Sequence, residues 1–140
     1  MSRRPPITRV LETALYVDDV AGIVAFYRDV LGLHPLDEGS RLVPMHAGGG
    51  TVVLIFKRGA TIDGLETPGG RIPPHDGTGP VHLAFAVPAE SLAEWERRLV
   101  EHGVAIESHV QWPRGGRSIY FRDPAGHSVE LATPGTWDVY

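Results

Sequence analysis

The sequence predicts an α+β fold made of two copies of one βαβββ unit within 140 residues. Internal repetition carries that prediction. ETALYVDD at 12–19 superposes on HLAFAVPA at 82–89 with an offset of 70, and each reads as a strand with a polar first residue leading into a helix. RLVPMHAGGGTVVLIF at 41–56 superposes on SIYFRDPAGHSVELAT at 118–133 with an offset of 77, and each reads as strand, tight turn, strand. One domain over 1–140 is expected, with modules at about 8–57 and 80–134 joined by a segment at 58–79.

In chain order, strand 11–17 alternates in bulk, and a helix over about 20–31 follows. Val20, Ile23, Val24, Tyr27, Val30 and Leu31 fall at helical spacing. Asp18 or Asp19 can cap its start, and Gly32 is placed to end it. GGG at 48–50 supplies the turn of the first hairpin. The segment 57–79 is rich in Gly and Pro and shows no period, so it is either a plain linker or a flap carrying His75 over the open face of a sheet. Strand 81–87 opens the second module. A helix over about 90–102 follows, with Leu92, Trp95, Leu99 and Val100 on one side and Gly103 after it. DPAG at 123–126 turns the last hairpin, for eight strands in all.

Composition narrows the function classes. Hydrophobic residues make up 42%, yet no apolar run is long enough to span a bilayer. MSRRPP is followed by no hydrophobic stretch, so it reads as no secretory signal, and a cytoplasmic protein is expected. There is no cysteine, hence no disulfide, thiolate metal site or Cys nucleophile. A net charge of −4 gives no basic footprint for nucleic acid, and a membrane partner is not expected either.

PVHLAFAV at 80–87 holds the first functional clue. Leu83, Phe85 and Val87 share one face of the strand, while His82, Ala84 and Ala86 share the other. A small-residue face headed by a histidine reads as the lining of a cavity. His82 is then either a histidine satisfied by a backbone carbonyl or a ligand.

ETALYVDDVAGIVAFYRDVLGL, HLAFAVPAESLAEWERRLVEHGV and YFRDPAGHSVELATP resemble the signatures of the vicinal oxygen chelate superfamily, which includes glyoxalase I, bleomycin-resistance proteins, fosfomycin-resistance enzymes and extradiol dioxygenases. The resemblance runs from about Val10 to Pro134. It implies paired βαβββ modules whose sheets curl around an open cavity, the glyoxalase/bleomycin-resistance/dioxygenase fold.

The resemblance also implies metal ligands at the start and end of each module, which map to Glu12, Val53, His82 and Glu130. Valine binds no metal. One imidazole and two carboxylates remain, a set suited to Mn(II), Fe(II), Ni(II), Mg(II) or Zn(II) with positions open for substrate. The vacancy at Val53 counts against glyoxalase I proper, whose pattern has four ligands. Extradiol dioxygenases and fosfomycin-resistance transferases use three, with a histidine where this chain has Glu12. Each carboxylate has a plainer reading: Glu130 in a salt bridge to Arg117 or Arg122, and Glu12 as a solvated residue at a strand start.

The cavity face is expected to carry Ala14, Tyr16, Val43, Met45, Val53, Ile55, Ala84, Ala86, Tyr120 and Ala132, with Trp112 near one rim. Such an apolar pocket suits a small organic substrate, with Tyr16, Val53, Tyr120 and His75 around it. Two functions follow. One is a divalent-metal enzyme of the lyase, isomerase or dioxygenase class that chelates adjacent substrate oxygens, with Glu12 or Glu130 as base. The other is a metal-free protein that sequesters a drug or metabolite. A homodimer is expected by analogy, and WDVY at 137–140 either serves that contact or folds back over its own sheet.

Overall fold

The computed structural model describes residues 3–140. The first unit comprises strand β1 (Glu12–Val17), helix α1 (Val20–Asp29), β2 (His34–Pro35), β3 (Leu42–His46) and β4 (Val52–Lys57). Its four strands form a mixed sheet in the order β1-β4-β3-β2, with β1 parallel to β4. The side chain of Asp19 accepts a hydrogen bond from the Gly22 amide and caps α1. The helix ends at Asp29, two residues short of the predicted end. Gly32 follows in the left-handed region at φ 76°. The GGG turn closes the β3–β4 hairpin with all three glycines at positive φ, which L-residues adopt only with strain.

The joining segment has structure of its own. Strands β5 (Leu65–Thr67) and β6 (Gly70–Ile72) form a short antiparallel hairpin, two strands more than the sequence predicts. The second unit then repeats the first: β7 (His82–Ala86), α2 (Leu92–Glu101), β8 (Ile106–Gln111), β9 (Arg117–Arg122) and β10 (Ser128–Ala132). Its sheet runs β7-β10-β9-β8, with β7 parallel to β10. Strands β1 and β7 thus occupy equivalent edge positions in two sheets.

The two sheets press their apolar faces into one core. Leu15, Val17, Val53 and Ile55 of the first sheet join Ile119, Phe121, Val129 and Leu131 of the second in a single buried cluster with the helices. Polar contacts fasten the halves. Arg98 of α2 donates to the carbonyls of Val30 and Asp29 at 2.7 and 2.8 Å, just beyond and at the end of α1. The buried Tyr27 hydroxyl reaches Asp123 in the turn between β9 and β10. The opposite faces of the sheets therefore look outward, away from each other. No described helix is long and apolar enough to cross a membrane.

Register corrects the predicted cavity face. Val43, Met45, Val53 and Ile55 are buried in the core, on the helix side. The outward face of β3 and β4 carries Leu42, Pro44, Leu54 and Phe56 instead. Ala14 pairs with Leu54 as Ala84 pairs with Glu130. Leu54, not Val53, is therefore the counterpart of Glu130, and the true offset of the hairpins is one residue less than the sequence comparison gives. Val53 is no part of a substrate pocket. WDVY folds back: the Tyr140 hydroxyl donates to the carbonyls of Val87 and Ala132, at the end of its own sheet.

Candidate metal and substrate site

His82 opens β7 and Glu130 stands midway along the neighbouring β10, so parallel pairing sets both on the outward face of the second sheet. The His82 Nδ1 lies 2.9 Å from the Ser128 carbonyl, to which it donates. That bond fixes the tautomer and leaves Nε2 with its lone pair. Nε2 in turn stands 3.2 Å from Oε1 of Glu130. Two lone pairs so placed need a cation between them, either a proton or a metal ion. The donor set therefore fits a divalent ion.

Glu130 is 6% exposed, which for a carboxylate demands partners. Neither predicted arginine provides one; Arg122 pairs with Glu107 at 2.7 Å. Ser118 on β9 donates its hydroxyl to Oε2, and Trp112 Nε1 donates to the Ser118 oxygen at 2.8 Å. The chain Trp112–Ser118–Glu130 holds one carboxylate oxygen and leaves the other facing His82. Ser118 is absent from the sequence reading, although its spacing of two from Tyr120 places it on the same face. The Tyr120 ring stacks on His82 with centroids 6.1 Å apart. Burial first, and the Glu130 charge second, raise the Tyr120 phenol above its ordinary range.

Glu12 lies elsewhere. It opens β1 on the outward face of the first sheet, and among the described residues no three acidic or histidine side chains gather to hold an ion within one chain. The structure thus brings His82 and Glu130 together and sets Glu12 apart from them.

The first sheet's outward face instead carries a cavity of about 520 Å³, roofed by the joining segment. Glu12, Tyr16, Leu54 and Phe56 line it from the sheet, and Leu65, Ile72 and His75 from the roof. The predicted flap thus covers this face. Tyr16 hydrogen-bonds His75 Nδ1 and stacks on Phe56 at 5.6 Å, and His75 meets Phe56 edge-on at 4.8 Å. Gly77 lets the roof come this close, because a Cβ there would stand 2.6 Å from the Tyr16 ring. Desolvation, with a smaller contribution from Asp76, raises the Tyr16 phenol.

A family model described as Glyoxalase/Bleomycin resistance protein/Dioxygenase superfamily matches residues 9–131. The chain belongs to that superfamily. The vicinal oxygen chelate resemblance in the sequence is therefore correct, and relatives in the superfamily give it context. A lactoylglutathione lyase from Agrobacterium tumefaciens superposes with a TM-score of 0.84 at 35% identity, over 95% of this chain and 98% of that one. A protein named metallothiol transferase FosB from Staphylococcus saprophyticus is 29% identical over 84% of this chain and 71% of its own length. Its namesake from Bacillus licheniformis is 41% identical, but over 41% of this chain and 38% of that protein. The fosfomycin resistance protein FosX from Listeria monocytogenes shares the superfamily fold at 22% identity and a TM-score of 0.65.

Proposed function

We propose that this superfamily member is a divalent-metal-dependent enzyme acting on a small organic substrate through its oxygen atoms. The observation that carries the reading is His82, tied through Nδ1 to a backbone carbonyl and aimed through Nε2 at a buried carboxylate. This is how proteins prepare a histidine as a ligand, and the outer-shell bond fixes both tautomer and ring direction. The relatives named metallothiol transferases favour the same reading over a metal-free binding protein.

His82, Glu130 and Glu12 would hold the ion, with Glu12 contributed by a second copy of the chain. Strands β1 and β7 are both sheet edges with one neighbour each, and exposed edges favour pairing. A two-fold dimer that brings β1 of one copy against β7 of the other would complete two equivalent sites. When bound, the ion would supply positive charge that polarises a substrate oxygen. The residues of the chain do the rest. Ser118 and Trp112 hold Glu130 in place, the hairpin roof excludes water, and Tyr16 and His75 orient a substrate oxygen. Leu54 supplies no fourth donor, so a transferase, isomerase or ring-cleaving reaction on a three-donor site fits better than that of glyoxalase I proper.

Equilibrium dialysis against Mn(II), Ni(II) and Zn(II) tests the reading. Wild-type protein should take up one ion per chain, and His82→Ala should lose it while keeping its fold, since the ring is half exposed. If wild-type protein takes up none of the three at micromolar concentration, the metalloenzyme reading fails.

A further inference from the structure

The cavity beneath the hairpin has a chemistry narrower than "small organic substrate". Its walls are Leu42, Leu54, Phe56, Leu65 and Ile72. Three rings meet in it: Tyr16, Phe56 and His75. Such a corner offers faces and edges to a further ring, the arrangement that aromatic pairs prefer. The volume, about 520 Å³, is that of an ordinary small-molecule pocket.

Polar recognition is concentrated at one point. Tyr16 hydrogen-bonds His75 Nδ1: a donating phenol leaves its oxygen to accept and Nε2–H to donate, and a donating Nδ1–H leaves the phenol hydroxyl to donate and Nε2 to accept. The pair thus offers one acceptor and one donor. Charge is scarce: the lining has one cation, Arg41, and one anion, Glu12, both exposed. The Arg41 guanidinium is already bonded to the Ala60 carbonyl. A dianion placed here would give up its hydration for one exposed cation, Arg41, whose charge the Glu12 carboxylate of the same lining offsets.

We propose that this cavity binds a mostly apolar, ring-bearing molecule through one hydroxyl or carbonyl oxygen at the Tyr16–His75 pair, and that it rejects phosphonate dianions. The proposal rests on the functional reading above, in which the same cavity holds the substrate. It differs from that reading in requiring no ion, and this separates their tests.

The test uses the full chain in EDTA with three probes: 1-naphthol, naphthalene and methylphosphonate. 1-Naphthol should bind about five- to tenfold more tightly than naphthalene, the worth of one hydrogen bond in a shielded site. Methylphosphonate should displace neither. In Tyr16→Phe/His75→Leu the preference for 1-naphthol should fall to about one while naphthalene still binds. Leu65→Arg, on an exposed hairpin position where folding is not at risk, should weaken both aromatic probes. The proposal is overturned if 1-naphthol fails to bind, if methylphosphonate competes with it, or if its preference survives in the double variant. Loss of metal uptake in dialysis with 1-naphthol binding intact would sink the metalloenzyme reading and leave the cavity assignment standing.

Discussion

The hydroxyl of Tyr27 donates to Oδ2 of Asp123 at 2.7 Å across 96 residues of sequence, and both groups are buried. His127 Nδ1 meets the same oxygen at 2.7 Å, while the amides of Ala125 and His127 hold the other. The first helix is thereby locked to the last hairpin by a network whose three side chains, Tyr27, Asp123 and His127, are all buried. Burial first, then the Asp123 charge and bond, push the Tyr27 phenol far above its ordinary range.

Alkaline unfolding should report that network. In the folded state Tyr27 keeps its proton at pH values where the unfolded chain, with an ordinary phenol near pH 10, has lost it. Stability is therefore full below about pH 10 and falls as pH rises beyond it, by up to about 1.4 kcal/mol per pH unit for this group. Urea titrations from pH 7 to 11.5 should show Tyr27→Phe less stable at pH 7 by about 1–3 kcal/mol. The same variant should have a shallower loss above pH 10. An identical alkaline slope in both proteins would show that Tyr27 does not carry the effect.

Adjacent residues of β4 should respond oppositely to the same substitution. Val53→Glu buries a carboxylate in the shared core without a partner, so it should destabilise by several kcal/mol or prevent folding. Leu54→Glu faces the cavity, and the protein should remain folded with only a modest fall in Tm. Circular dichroism melts of the pair decide the register directly, and the reverse ranking would refute it.

Support for Glu130 should be measurable as metal affinity. Removing the hydroxyl in Ser118→Ala frees Oε2, and outer-shell losses of this kind cost about 10- to 100-fold in affinity. Trp112→Phe removes only the outermost donor of the chain and should cost less. Competition titrations with a chelating dye give both values. Unchanged affinity in Ser118→Ala would reduce Ser118 to a packing residue.

Complementation should reveal whether a site is shared. Glu12→Gln and His82→Ala chains, each inactive in metal uptake, should regain it when mixed, unfolded and refolded together. Random pairing gives about half hybrid dimers with one intact site each, hence about a quarter of wild-type uptake. No recovery in the mixture would place all the ligands in one chain or remove Glu12 from the set.

The sequence by itself determined the repeat, both helices with the glycines that follow them, the Asp19 cap of the first, the superfamily, and the outward face of β7. Each follows from short-range information: helical spacing, a capping aspartate, or a strand such as HLAFA whose two faces differ in bulk. Tertiary structure decided the rest. LVPMH and VVLIFK are apolar on both faces because one packs in the core and the other lines an apolar cavity, so alternation could not say which was which. Only pairing with β1 settles that Leu54 faces out and Val53 in. Likewise, nothing local to Glu12 or His82 records that their sheets pack back to back. That arrangement comes from burying two apolar faces in one core, a long-range preference that sets Glu12 on one side of the molecule and His82 with Glu130 on the other.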